Sequence, residues 1–277
     1  MDGLKATLAT PSLVINEKKT NLIYMKYFLH LSYKGTHYRG WQKQANVESI
    51  QGVLEQTLVK MLGYPQPCIG CGRTDAGVHA SQYFCHITLR EPLTYDPVFR
   101  LNKMLPNDIV VHDFIPMPKE AHTQFDAVER TYTYRMHGTP NPFIDELSTY
   151  VNLDKMDIEK MKVAVGYLKG THDFRSFCKQ PDLNKSTVCD IQNAAITHLP
   201  QQLIFTITAN RFLRNMVRLI VGNLLEIGFG KLSVEQFRLA LVQQQPLPYF
   251  QLAYPQGLYL SKVSYPYLNV PVKEVIF

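Results

Sequence analysis

The sequence predicts an α+β fold of two similar sandwiches, each an antiparallel sheet with helices on one face, joined around a central cleft. Three observations predict it. Segments of strand period return between segments of helix period, in a similar alternation in both halves of the chain. The 277 residues leave room for two modest cores. The apolar share is that of an ordinary globular protein, and no apolar run is long enough to cross a bilayer.

The opening MDGLKATLATPSLVINEKKTN is polar and aperiodic, so residues 1–24 read as a loosely ordered extension. A first α+β domain is expected over residues 25–125. Tyr27, Leu29, Leu31 and Tyr33 alternate with Phe28, His30 and Ser32 as a strand does. Val47, Ile50, Val53, Leu54, Leu58 and Met61 fall at helical spacing, with Asn46 as N-cap and Gly63 as stop. Tyr83, Cys85, Ile87 and Leu89 mark a strand, Asp96-Pro97 opens a helix through Met104, and Ile109 to Ile115 returns as a strand.

A second α+β domain is expected over residues 126–277. Tyr132, Tyr134 and Met136 form its first strand. Asp154 caps a helix carrying Ile158, Met161, Val165 and Leu168, which Gly170 stops. The loop KQPDLNKST precedes strands near Asp190–His198 and Leu203–Ala209. A helix is expected from about Arg211 to Ile227, then one opened by the capping box Ser233/Gln236, then a strand from Leu258 to Tyr265.

Lys plus Arg exceeds Asp plus Glu by 29 − 23 = 6, which suits a polyanionic partner without proving one. Five cysteines, an odd number without framework spacing and with no secretory apolar stretch before them, point to a reducing cytoplasm.

The stretch GCGRTDAGVHA, Gly70 to Ala80, carries the chemistry. It is no dinucleotide fingerprint, because the glycine spacing is wrong, and no phosphate loop, because Gly-Lys-Ser/Thr is missing. Cys68 and Cys71 form a C-x-x-C pair near His79, Cys85 and His86, but no second pair follows, so no metal is expected. Arg73 stands two residues from Asp75, where its charge favours an ionised carboxylate. Taken alone, Asp75 reads as a turn former, since Asp in such a sequence caps its own turn.

The remaining blocks change that reading. GTHYRGWQKQ with QGVLEQTL, GCGRTDAGVHA, LNKMLPNDIVV, FDAVERTYTYR, HDFRSFC, NRFLRNMVRLIVGNLLEIG and GLYLSKVSYP stand in order from Met25 to Pro266. Together they resemble the tRNA pseudouridine synthases of the TruA type. The resemblance implies two RNP/ferredoxin-like halves, isomerisation of uridine to pseudouridine at positions 38, 39 and 40 of the tRNA anticodon stem-loop, no cofactor, and a homodimer without membrane or DNA partners. It maps the catalytic aspartate to Asp75, a tyrosine to Tyr132 and an arginine to Arg218.

For Tyr132 the alternatives are a core strand tyrosine, or a ring that stacks on uracil and whose hydroxyl also helps remove the proton from carbon 5. Arg73 either fills the space left by an extracted base, holds a phosphate, or anchors its own loop by an ion pair. Arg211, Arg214 and Arg218 recur at i, i+3 and i+7, and Gly222 continues that stripe. Arg218 is expected inward, while Arg211 and Arg214 either reach RNA or form a solvated face. Lys34, Arg39, Lys43 and Trp41 read as a basic and aromatic surface loop suited to phosphates. The chain departs from the family at Cys71, at Gln124 in AHTQFDA, at LAYPQ and in the Lys179–Thr187 loop. The rival readings are a catalytically idle tRNA-binding or tRNA-folding protein on the same frame, and a zinc-dependent nucleic-acid module.

Overall fold

Alternating side chains build the first strand, and helix-spaced ones then cover it. The computed structural model describes residues 25–248 and 251–272; the expected extension over 1–24 lies outside them. Strand β1 (Met25–Tyr33) leads to helix α1 (Ile50–Leu62), the short β2 (Ile69–Gly70) and β3 (His79–Leu89). Helix α2 (Pro97–Met104) and β4 (Ile109–Met117) follow. Leu29 and Leu31 of β1, Tyr83, Cys85 and Ile87 of β3, and Ile50, Leu54, Leu58 and Met61 of α1 share one hydrophobic cluster.

Next come β5 (Glu129–His137), β6 (Thr149–Tyr150), α3 (Ile158–Gly166), β7 (Gly170–Asp173), β8 (Val188–Leu199) and β9 (Gln202–Ala209). Helices α4 (Met216–Gly228) and α5 (Val234–Val242) precede β10 (Leu258–Ser264). A second cluster gathers Tyr134 and Met136 of β5, Phe205 and Ile207 of β9, and Leu219, Ile220, Leu224 and Ile227 of α4.

All ten strands form one sheet, ordered β4-β1-β3-β10-β5-β9-β8-β7, with β2 on β3 and β6 on β5. Its pairings are antiparallel except β10 with β3 and β6 with β5. The expected closing strand thus does not sit at an edge. Tyr259 and Leu260 pair with His79 and Ala80 on one side, and Leu258 to Ser264 pair with Tyr134 to Glu129 on the other. Among the described residues no helix is long and apolar enough to cross a membrane.

Three helix starts differ from expectation. Helix α1 is capped by Ser49, whose side chain accepts from Gly52 N, whereas Asn46 turns back at φ 61 and leaves Val47 exposed. Helix α3 is capped by Asp157, because Asp154 lies in a separate 3₁₀ turn. Helix α4 begins at Met216, since Asn215 adopts φ 61 and interrupts the helical path. Arg211 and Arg214 therefore precede the helix and do not share a helical face with Arg218.

Gly222 of α4 allows the close approach expected of a small residue. A Cβ there would stand 2.0 Å from the carbonyl oxygen of Gln251. The neighbouring strap cannot yield freely, because Ala253 N donates to Arg218 O at 3.0 Å. Gly222→Ala is expected to cost about 1–3 kcal/mol as overpacking, read as a lowered denaturant midpoint.

Candidate active site

Asp75 sits in the loop that joins β2 to β3, beside the middle of the sheet. Backbone closes this turn, Val78 N donating to Asp75 O at 3.2 Å. Gly77 adopts φ +76, and a Cβ there would lie 2.9 Å from Pro255, so glycine fits where other residues would be strained. His79 pins the end of the loop: its Nδ1 accepts from Gly35 N at 2.9 Å and its Nε2 donates to Gln256 O at 3.1 Å. Burial lowers its pKa to about 4, so the ring stays neutral.

The Asp75 carboxylate is not consumed by its own turn. Its Oδ2 accepts from Nδ2 of Asn215 at 2.6 Å, a residue 140 positions away, and lies 3.9 Å from Nη1 of Arg218. The side chains of Asp75 and Arg218 are 36% and 15% exposed, so the pair is sheltered on the arginine side and open on the carboxylate side. Arg218 is aimed by its own Nε, which donates to Ala253 O at 2.7 Å. Burial raises the pKa of Asp75, and Arg218, Arg214, Lys179 and the Asn215 amide oppose that rise.

Tyr132 of β5 lies two strands away from β3, with β10 between them. It is half-buried, packs against both hydrophobic clusters, and meets Phe212 edge-on at 5.0 Å. Burial first, then the nearby Cys71 and Asp75, push its hydroxyl pKa well up. The phenol is therefore protonated at neutral pH.

The structure brings Asp75, Arg218 and Tyr132 together, with the charge of Arg214 nearby, and places other expected site residues differently. Trp41 is not on the surface. It is 1% exposed, with its ring 4.2 Å from that of Tyr83 and 6.3 Å from that of Tyr33, because Trp41 N donates to Thr74 O and draws the segment inward. Lys43 is exposed but pairs with the sheltered Glu55 at 3.0 Å, as Lys34 pairs with Glu146 at 2.9 Å. Arg73 is exposed and forms no ion pair among the described residues, so it does not anchor its loop that way. Nor is it the cation that faces Asp75. Arg211 is exposed, and Arg214 donates to Oε1 of Gln180 at 2.5 Å.

Three residues escaped sequence reasoning. Asn215 supplies the closest bond to Asp75; an Asn just ahead of a helix pattern, tolerant of positive φ, was the available signal. Lys179 brings charge from the individual loop. Arg130 donates to the carbonyls of Cys71 at 2.8 Å and Gln124 at 2.9 Å, and to those of Ala127 and Asn210 at 3.3 Å each. It fastens the Asp75 loop to β5 and to the segment before α4. The thiols of Cys68, Cys71 and Cys85 are buried and free, and no three His, Cys, Asp or Glu among the described residues converge as metal ligands.

Residues 164–266 match the sequence profile of a family described as tRNA pseudouridine synthase. The chain is 40% identical over 252 residues to tRNA pseudouridine synthase A of Parabacteroides distasonis, covering 90% of this chain and 99% of that one. Over 250 residues it is 41% identical to the protein of that name from Porphyromonas gingivalis, covering 87% and 97%. Over 244 residues it is 43% identical to that from Bacteroides fragilis, covering 87% and 96%.

Proposed function

This chain belongs to the tRNA pseudouridine synthase A family and is an isomerase that rebuilds uridine in tRNA as pseudouridine, and from that premise we propose that Asp75 is its nucleophile. The observation that carries the proposal is a half-open carboxylate held from behind by two residues of a distant segment, Asn215 and Arg218.

Substrate and product are isomers, so the reaction consumes nothing. The bond from C1′ to N1 breaks, one from C1′ to C5 forms, the C5 proton leaves and N1 takes one up. A carboxylate serves by adding to C1′, which expels uracil with the bonding pair, or to ring carbon 6, which moves a pair onto the O4 oxygen. Either adduct holds one fragment while the other turns, and the bond to Asp75 breaks again before product leaves. Arg218, Arg214 and Lys179 favour the ionised carboxylate that both routes need. Tyr132, protonated and half-buried, acts by stacking on the ring rather than as a base.

The target base is stacked in the anticodon stem-loop and must be drawn out, at a cost of a few kcal/mol. Exposed Arg73 fills the gap or holds a phosphate, and Arg211 and Arg214 meet the backbone. Residues 25–125 and 126–277 form two similar domains; the two separate clusters support this, with β10 as the seam. The protein works as a homodimer in the cytoplasm and without a cofactor.

The test is release of label from C5 of uridine in unmodified tRNA transcripts, followed by mapping of the product. Conversion at positions 38, 39 and 40 supports the anticodon assignment, and no release from any tRNA overturns the catalytic reading. Arg218→Met removes a sheltered countercharge and is expected to lower single-turnover rate about a hundredfold, with tRNA affinity little changed.

A further inference from the structure

We propose that Asn215 is a positioning residue that immobilises Oδ2 of Asp75 and thereby presents Oδ1 to the uridine. The assignment rests on Asp75 being the nucleophile. Asn215 occupies the N-cap position of α4, where an asparagine side chain ordinarily satisfies a free N–H of the first turn, yet it makes no such bond. Its backbone instead adopts φ 61, a conformation that costs a non-glycine residue about 1 kcal/mol. The conformation aims Nδ2 across the site, to a 2.6 Å bond with Asp75 Oδ2. A helix cap has been given up for a bond to the carboxylate.

The same oxygen faces Arg218, three residues further along α4, at 3.9 Å. Among the described residues Oδ1 receives no hydrogen bond. One oxygen is thus loaded and the other carries no bond, in a side chain that is 36% exposed. Fixing the first sets the carboxylate plane, so the second meets the base in one orientation rather than several. Arg218 cannot do this alone, because its Nε is committed to Ala253 O and its Nη1 stands beyond hydrogen-bond distance. The charged and titratable groups facing Asp75 are Arg218 of α4, Arg214 of the segment before it, Lys179 of the loop ahead of β8, and Tyr132 of β5. Each is present in any Asn215 variant, so a change on substitution reports the amide.

The experiment compares Asn215→Gly and Asn215→Asp with the unaltered enzyme and with Asp75→Asn, in single-turnover conversion of an unmodified tRNA transcript across pH. Glycine and aspartate both tolerate the positive φ, so folding is preserved, and a thermal scan checks it. Asn215→Gly is expected to lose about ten- to a hundredfold in rate at saturating tRNA, with tRNA affinity unchanged, as befits a lost bond to a charged group. The acid limb of the rate profile should move to higher pH in Asn215→Gly and further in Asn215→Asp, whose carboxylate repels that of Asp75. A purely structural Asn215 would lower the thermal midpoint and leave the acid limb in place. Unaltered rate and limb in both variants, with Asp75→Asn inactive, would overturn this inference alone. An active Asp75→Asn would instead overturn the nucleophile on which it rests.

Discussion

Asp75→Asn is expected to lose at least about four orders of magnitude in pseudouridine formation while binding tRNA as the unaltered protein does. Asparagine keeps the shape and still accepts from Asn215, so only the ionisable oxygen is lost. Stability should move the other way. Burial, the largest influence, raises the pKa of Asp75 in the folded state despite the four groups that oppose it. A raised folded pKa means the fold prefers the protonated carboxyl; the associated stability is present in acid and lost as pH rises through the folded value. At neutral pH the ionised Asp75 is therefore a burden on the fold. The Asn variant should match or exceed the thermal midpoint of the unaltered protein near pH 7, with any gap closing as pH falls. For the same reason, the acid limb of the reaction should lie at higher pH than a free aspartate would give. A variant that is inactive because it is unfolded would show the opposite shift in midpoint.

Trp41→Ala should be the substitution most damaging to the fold, at about 3–5 kcal/mol. The ring is all but fully buried and packs against Tyr83 and Tyr33, whose own rings stand 5.5 Å apart. Tyr83 Oη in turn donates to Gly72 O at 2.5 Å, and Trp41 N donates to Thr74 O at 3.2 Å. The loop that carries Asp75 thus leans on this aromatic stack at two points. Denaturant unfolding should show the loss directly, and catalysis should fall with it as the loop loosens. A tryptophan that served tRNA from the surface would leave the midpoint unchanged and flatten the salt dependence of binding instead.

The strands were readable because their periodicity is local: burial in β9 alternates residue by residue as the sequence does, and Tyr134 of β5 is buried between half-buried neighbours, although β1 buries Phe28 to Leu31 on both faces. Caps fared well where chemistry was unambiguous, as at Asp96 and at the Ser233/Gln236 box, both of which hold. They failed where two candidates competed within a turn, as with Asn46 against Ser49 and Asp154 against Asp157. Helix α4 was overextended because Arg211 to Arg214 are acceptable helix residues, and the asparagine itself is only a weak local sign of the positive φ at Asn215. Trp41 misled for a related reason. Charged neighbours suggested a surface, but the hydrogen bond that turns it inward comes from a residue 33 positions later, Thr74. The place of β10 was also hidden, since pairing with a strand nearly 180 residues earlier leaves no periodic trace. Asp75, Tyr132 and Arg218 were singled out through the resemblance; Asn215, Lys179 and Arg130 are brought beside the Asp75 loop by the fold and carry no spacing signal.

The position of β10 bears on how the protein emerges from the ribosome. The strand wedged between β3 and β5 is translated after every other strand described, so the seam between the Asp75 loop and Tyr132 stays unfilled until that strand emerges. The sheet is therefore completed only on closing a contact of very long sequence separation, a slow event for any sheet.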